Sequence, residues 1–560
     1  MPSPAFTKVQ SNSSSLTLSH EGKKIFQAMN LSFSEHGDAD DGAKIRVSDL
    51  MSKMSFYYEK IRNSVDYREE FVLRRGAIAR ILKRLIVIEG VGRGTNLEPD
   101  RIASVLLTEL IRAGYLANNS LPEAKISEVA GVLNKYFKLR QATFYYWSQN
   151  RGTKDQERKQ QFTAWIINIA ASEIEDNLSH SAAKEALVTS FYEVLSKAIE
   201  LPKDLPYQDD LGVQIYLSIY RNYLKLNEDD ILGFVLWQYY CPAWKNADDS
   251  VIDKIALDLE SIRNAISYQL AHPLKNQLNK IVYKHTVYFQ ILQDVLSKNP
   301  KQVYEAMHRD GKYFATQARE ACAKRYKQAK SRLWGSVARS IVYIFLTKSV
   351  FVLALEIPAI RFFGEEPSAV ALLINICTPA VMLFLAVALT KLPGDDNTAK
   401  ILSGIEEILF VERARKSPII LKKPAKRGGV LGFFFGLIYA ATFILSFGSV
   451  IWILEQLNFS HVSMIIFVFF LAFASFFAIR IKRNARSLVV VESKETIFSF
   501  LWSFLYIPII STGKWLSGKF SSINIFIFFF DFIIEAPFKV FVTVAEEWGK
   551  YLNERRENLN

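Results

Sequence analysis

Cysteine is the scarcest residue type in this chain of 560 residues, with three members, Cys241, Cys322 and Cys377. They are too few and too far apart for a disulfide framework or a cysteine-based zinc site, and they suit a reducing compartment. The seven histidines have no metal-ligand spacing, and no His-Glu-x-x-His sequence occurs. We therefore expect no metal site and no cofactor.

Catalytic motifs are also lacking. The glycine-rich stretch at residues 90–95 has neither the spacing nor the lysine of a phosphate-binding loop, and no Gly-x-Ser-x-Gly sequence is present. The first 40 residues have no apolar segment behind a basic start, so we expect no secretory signal. We name no catalytic residue, although an enzyme with an unfamiliar site stays an alternative.

Long apolar runs dominate the chain after residue 335. They cover residues 340–355, 369–389, 429–454 and 462–479. Each is about long enough to cross a hydrocarbon layer of roughly 30 Å, which takes about 20 helical residues. The sequence therefore predicts a polytopic α-helical membrane domain with four firm spans in two hairpins.

The first 335 residues are charged and have apolar positions three and four apart, which is typical of helices that bury one face. The predicted fold class is all-α, a helical cytoplasmic N-terminal domain followed by the membrane domain. The predicted segments are a disordered tail (1–40), the helical cytoplasmic domain (41–299), a basic juxtamembrane stalk helix (300–339), four transmembrane helices (340–481), and a short apolar segment with a long amphipathic C-terminal helix (482–560). We expect the stalk to run unbroken into the first span, with a break at Trp334–Gly335 as the alternative.

The distribution of charge predicts the topology. The whole formal net charge of +13 lies in three segments, residues 321–340, 391–427 and 480–495. Cytoplasmic loops carry such Lys/Arg excess, so these segments and both termini are predicted to be cytoplasmic. The connections at Glu356–Pro367 and Glu455–His461 are then predicted to lie outside, and the membrane to be the plasma (inner) membrane. A nucleic-acid binder would concentrate its excess on the soluble domain, so no nucleic-acid partner is expected.

Ionisable residues at membrane depth are the first candidate functional residues. Lys348 lies inside the first span, where a lysine costs roughly 3 kcal/mol and calls for a partner. Asp531, Glu535 and Lys539 lie on one face of the apolar tract 523–544. We hypothesise that Lys348 pairs with Asp531 or Glu535, while a local Glu535–Lys539 pair is the alternative.

The segment 497–544 allows two interpretations. Its first part, Ile497–Ile510, is about 14 residues long and contains Pro508. Both parts could cross the membrane to give six spans, or both could be re-entrant or interfacial helices on a four-span protein. The sequence leaves these two possibilities even.

Two further groups of candidates concern lipid and helix contacts. Gly432 and Gly436 have the spacing for close helix packing, with a homo-oligomer as one possible result. Anionic lipid headgroups are the expected partners of the basic stalk. The headgroup candidates are Lys324, Arg325, Lys327, Lys330 and Arg332.

Two functions fit these observations. The first is a membrane scaffold or assembly protein that presents its helical domain to an unknown protein partner. The second is a channel or transporter that uses the intramembrane charged residues. The size of the soluble half favours the first, and the charges at membrane depth favour the second.

Overall fold

The computed structural model describes residues 17–34, 43–47, 70–92, 98–149, 155–179, 181–226, 229–297, 299–309, 313–388, 390, 393–415, 417–423, 429–491 and 497–522, with the single positions 544, 548, 551 and 555. Helices make up nearly all regular structure in these ranges. The strands among them are two residues long, β1 (Ile199–Glu200) and β2 (Ile419–Ile420), and pair in parallel. The all-α prediction is confirmed.

The chain forms two compact units. The helical unit holds residues 20–286 and 415–423. Its helices are α1 (His20–Ser34), α2 (Glu70–Gly92), α3 (Pro99–Arg112), α4 (Ala124–Gln149), α5 (Asp155–Leu178), α6 (Ala182–Ala198), α7 (Leu211–Asn222), α8 (Asp229–Tyr240), α9 (Asp249–Leu270) and the first part of α10 (Lys275–Leu296).

The apolar unit holds residues 17–19, 287–414 and 429–522 of the described chain. Its helices after α10 are α11 (Pro300–Arg309), α12 (Tyr313–Phe351), a π-helical segment (Val352–Glu356), α13 (Ile357–Phe362), α14 (Ala369–Ala388), α15 (Asp395–Leu409), α16 (Gly429–Gln456), α17 (His461–Ala485) and α18 (Ile497–Ser522).

Helix α3 illustrates how the sequence forms the helical unit. Pro99 occupies its first turn, where a missing N–H costs nothing, and the chain leaves the helix through Gly114 at φ +76°. Its buried side chains are three and four residues apart, so one face packs against α2 and α4. They are Ile102, Ala103, Leu106, Leu107, Leu110 and Ile111.

Helix α1 corrects the predicted disordered tail. Residues 20–34 of that tail form a helix that packs on α6 and buries Ile25, Phe26 and Met29. Lys24 supports the contact through an ion pair with Glu193, with 2.6 Å between Nζ and Oε1. The tail prediction was wrong for residues 20–34, because it relied on the Ser/Asn-rich composition and overlooked a short apolar helix face. Residues 1–16 lie outside the described chain.

From Tyr313 onward, the stalk is one helix with the first apolar run. Helix α12 passes through Trp334–Gly335 without a break, and with the π segment and α13 it forms 50 consecutive helical residues, Tyr313–Phe362. Gly335 costs about 1 kcal/mol relative to alanine, which is too little to end a helix of this length. The predicted continuity is confirmed over this range.

Among the described residues, four helices are long and apolar enough to cross a membrane: Tyr313–Phe362, Ala369–Ala388, Gly432–Gln456 and His461–Arg483. They coincide with the four predicted apolar runs. Large apolar side chains stay exposed along them, including Phe433, Ile444 and Ile465. An exposed apolar surface of this extent is unusual for a protein in water and is typical of helices in contact with lipid.

Helix α18 corrects the predicted short apolar segment. It does not end at Pro508 but continues to Ser522, so it is 26 residues long. Pro508 is buried, and its carbonyl accepts a hydrogen bond from the Thr512 hydroxyl, with 3.0 Å between the oxygens. A helix of this length spans about 39 Å. The tract 523–543 lies outside the described residues.

Candidate functional site

A fully buried lysine and a fully buried glutamate face each other in the apolar unit. The Lys348 Nζ atom lies 3.9 Å from Glu356 Oε2, and both side chains are 0% exposed. The ammonium group also lies over the ring of Phe470, 3.9 Å from its centroid. The attraction of a cation to an aromatic face offsets part of the cost of removing Lys348 from water.

The π segment brings Glu356 onto the same side of the helix as Lys348. In an ordinary α-helix, residues eight apart point about 80° away from each other. A π segment absorbs one extra residue, so the pair is spaced like residues seven apart and diverges by about 20°. Residues 352–356 therefore turn Glu356 into the helix bundle.

Two other helices hold the Glu356 carboxylate. Asn375 of α14 donates through Nδ2 to Glu356 Oε1, and Ser463 of α17 donates through Oγ to the same oxygen, each over 2.6 Å. Both donors are buried. We call Lys348, Glu356, Asn375 and Ser463 the polar cluster.

Three polar atoms of this cluster have no hydrogen-bond partner among the described residues: Lys348 Nζ, Glu356 Oε2 and Asn375 Oδ1. A separation of 3.9 Å is too long for a direct hydrogen bond between the first two. Pro379 adds to the polarity, because it has no N–H to bond the carbonyl of Asn375 one turn earlier. The cluster is thus charged and buried but incompletely satisfied.

Glu356 is the partner that the sequence-based prediction missed. It was assigned to an outside loop because Glu356–Pro367 has three acids and a single basic residue, whereas the helix continues to Phe362. A π segment has no simple sequence signal, so the eight-residue spacing did not suggest a pair. The predicted partners Asp531 and Glu535, and Lys539 beside them, lie outside the described residues, and their pairing stays a prediction.

The two connections predicted to be outside contact each other. Glu365 follows α13, and its Oε1 lies 2.8 Å from Nδ1 of His461, the first residue of α17. This hydrogen bond lowers the pKa of Glu365 below its usual value. Ser463 lies two residues after His461, so the polar cluster is close to this end of the bundle.

Three segments predicted to be cytoplasmic also converge. The amide nitrogen of Asn397 in α15 donates to the Tyr326 hydroxyl at 2.9 Å and to the Leu488 carbonyl at 2.8 Å. Its Oδ1 accepts from the backbone N–H of Val490 at 2.7 Å and of Val491 at 3.2 Å. We call this set the Asn397 junction. It joins the stalk to both basic loops in one buried network.

The stalk lysines and Arg325 have different surroundings. Lys324, Lys327, Lys330 and Arg332 are exposed, as lipid-headgroup contacts require. Arg325 is instead held within the chain, because its guanidinium pairs with Asp294 and donates to Gln290. Arg325 is therefore withdrawn from the headgroup candidates.

The predicted glycine contact is not made at Gly436. A Cβ atom added at Gly436 would meet nothing within 4 Å. Close helix contact occurs instead at Gly513 of α18, where an added Cβ would lie 2.0 Å from the carbonyl oxygen of Ala472 in α17. The spacing of Gly432 and Gly436 therefore indicated a different position from the one where the close contact occurs. Contact through these two glycines with a second copy of the chain stays a prediction.

The helical unit has an exposed aromatic surface, which we call the tyrosine face. Its members are Tyr207, Tyr239, Tyr240 and Tyr268. Tyr239 is 58% exposed and Tyr268 is 50% exposed. The rings of Tyr239 and Tyr240 are in edge-to-face contact, with 5.2 Å between their centroids.

A hydrogen-bond network of Asp210, Gln269 and His272 lies beside the tyrosine face. Asp210 accepts from Gln269 Nε2, and its other oxygen lies 3.3 Å from His272 Nε2. Nδ1 of His272 accepts from the backbone N–H of Leu274, so Nε2 carries the proton. Burial lowers the pKa of His272, with Asp210 opposing part of that effect. The rings of Tyr207 and Tyr268 pack edge-to-face against His272 of this network.

No protein-family model, no curated protein and no solved structure matches the chain. The class is consequently defined by the structure: a mostly helical protein that has, in its described part, four apolar helices of membrane-spanning length. Within the described residues, the polar cluster and the tyrosine face are the candidate sites considered below.

Proposed function

We propose that the protein is a multi-pass membrane scaffold whose cytoplasmic helical unit docks a protein partner through the tyrosine face. Tyrosine is enriched at protein interfaces because it supplies a large contact area and a hydroxyl with little loss of side-chain freedom. Half-exposed Tyr239 and Tyr268 have this character. The exposed, supported tyrosine face is the observation that carries the proposal.

The membrane half fits the role of an anchor in this proposal. The Asn397 junction supports a topology in which the stalk and both basic loops lie on one side, as the positive-inside rule predicts. The Glu365–His461 contact supports placing the other two connections together on the opposite side. Both observations agree with a cytoplasmic helical unit.

Site-specific photocrosslinking in cells tests the proposed docking. A photoreactive phenylalanine analogue at Tyr239 should crosslink one defined protein, and the same analogue at Tyr145, which is 62% exposed and outside the tyrosine face, should not. Tyr268→Ala should lower the yield at position 239 about tenfold, as expected for loss of a contact of roughly 1.4 kcal/mol. Equal crosslinking from both positions, or none from 239, contradicts the proposal.

A transporter or channel is the second candidate, and the polar cluster favours it. Buried ionisable groups in membrane helices commonly mark substrate or proton pathways. The cluster joins three helices, α12 with its π segment, α14 and α17. Ion flux in proteoliposomes that disappears in Lys348→Met but not in Tyr268→Ala would favour this function over the scaffold.

A further inference from the structure

We propose that the polar cluster is a hydrated proton-exchange site, which holds one water molecule between Lys348, Glu356 and Asn375 and takes up a proton from solvent at Glu356. This inference stands whether the protein is a scaffold or a transporter. It rests on the geometry and burial of the four side chains.

The unpartnered atoms match the bonding capacity of one water. A water molecule donates two hydrogen bonds and accepts up to two, and buried waters typically make about three. Here one donor, Lys348 Nζ, and two acceptors, Glu356 Oε2 and Asn375 Oδ1, have no partner among the described side chains. A water that accepts from the ammonium and donates to both oxygens gives each of the three atoms a hydrogen-bond partner. The 3.9 Å between Nζ and Oε2 suits a bridged pair better than a direct one.

Such a water also provides a route for a proton. One proton leaves Lys348 Nζ for the water oxygen while a proton of the water moves to Glu356 Oε2. The N–H bond and one O–H bond of the water break, and a new water O–H and the carboxyl O–H form. The result is a neutral amine, a neutral carboxylic acid and an unchanged water, so both charges leave the apolar interior. A further proton from solvent then restores the ammonium and leaves Glu356 protonated.

Few other charges surround the carboxylate. Helix α14 contains no Asp, Glu, His, Lys or Arg. On α17, His461 is bound to Glu365, and the remaining basic residues lie near the other end of the helix. Arg361 of α13 is exposed, and α15 contacts the long helix at the stalk, where Asn397 donates to the Tyr326 hydroxyl. Among the described residues, Lys348 is accordingly the charged group that has the strongest electrostatic effect on Glu356.

The cluster lies near the end of the bundle that holds Glu365 and His461. Ser463, which donates to Glu356, is the third residue of α17, and Asn375 is the seventh of α14. Glu356 thus lies about two turns from the helix ends that carry these connections. This end is the predicted outer side, so we expect exchange with the outside solution.

Infrared spectroscopy of the full-length protein in lipid nanodiscs tests the site. Lowering the pH should produce a carbonyl band of a buried carboxylic acid, and Glu356→Gln should abolish it. Glu366→Gln changes an exposed carboxyl in the same connection and serves as the control that leaves the band in place. Transfer to D₂O should shift the band, since the bound water exchanges the carboxyl proton.

Lys348→Met adds an independent check, because it removes the ammonium that the water bridges to Glu356, so the Glu356-dependent band should differ from that of the wild type. A wild-type band that does not shift in D₂O shows a dry site and overturns the proposal. Absence of any Glu356-dependent band across the pH range shows a permanently ionised pair and also overturns it. Should the Lys348 variant fail to fold, the wild-type exchange measurement and Glu356→Gln still decide.

Discussion

At the scale of single residues, two features stabilise the apolar unit: a close backbone contact at a glycine and a buried pair of opposite charges. Gly513 lets α18 approach α17 until the two backbones touch, a contact that any side chain would prevent. Lys348 and Glu356 are tolerated because each offsets the other's charge, and removing one leaves the other buried and unpaired. Close backbone contact and paired charge are both substitutes for the hydrophobic effect between helices in lipid.

Gly513→Ala should destabilise the apolar unit, because the new Cβ would overlap the Ala472 carbonyl and force the helices apart. Overpacking of this kind costs about 3 kcal/mol. The measurement is reversible unfolding in mixed detergent micelles. Gly436→Ala is the matched control, since its Cβ meets open space and alanine favours helix, so stability should stay equal or rise slightly. Equal losses in the two variants would show that the α17–α18 contact is looser than the structure has it.

At the scale of elements, the loop between the second and third apolar helices contains a structural helix. Helix α15 buries Ile401, Ile405 and Leu409 along one face. Gly404 on that helix contacts the ring of Tyr288, which leaves no space for a side chain. The Asn397 junction then fixes the start of α15 to the stalk and to the segment after α17. The sequence marked residues 391–427 as a basic cytoplasmic connection without predicting this helix, and these contacts make the helix part of the packed unit.

Asn397→Leu should loosen this arrangement. It removes the partners of the Leu488 carbonyl and the Val490 N–H, and leaving buried backbone groups unsatisfied costs about 1–3 kcal/mol each. We expect faster hydrogen–deuterium exchange in residues 486–491 and in the first turn of α15. Lys400→Ala, at an exposed position of the same helix, should leave exchange unchanged. Protection that survives Asn397→Leu would reduce the junction to a surface contact.

At the scale of the whole molecule, the arrangement of basic segments predicts which side of the membrane each connection faces. The connections with Lys/Arg excess meet at the Asn397 junction, whereas the acidic connection at Glu365 meets His461. Spans that alternate in direction place consecutive connections on opposite sides of the membrane. The basic connections and the acidic connections should therefore contact each other at separate places. The proposed topology was derived from charge alone, and the contacts between the connections support it independently.

Cysteine labelling in intact cells should confirm the orientation. In a background without Cys241, Cys322 and Cys377, a membrane-impermeant maleimide should label Gln456→Cys and not Ser417→Cys until the cells are opened. Gln456 and Ser417 are both exposed, and Ser460 is avoided because its hydroxyl caps α17. Labelling of Ser417→Cys from outside, with Gln456→Cys protected, would reverse the assignment.

The sequence by itself determined the helical class, the four apolar helices and the continuity of the stalk. These are encoded locally, since apolar periodicity, run length and the absence of proline act within one segment. It also marked Lys348 as a group that needs a partner, because the cost of a charge in hydrocarbon does not depend on the fold.

Tertiary structure decided which groups meet. Glu356 became the partner of Lys348 only through a π segment and through donors from α14 and α17, none of which has a local signal. The close contact fell at Gly513 and not at Gly436 for the same reason, since small residues permit an approach that the facing helix must complete. Local sequence determines which secondary structure a segment can form. Long-range packing then decides which of several suitable residues come into contact.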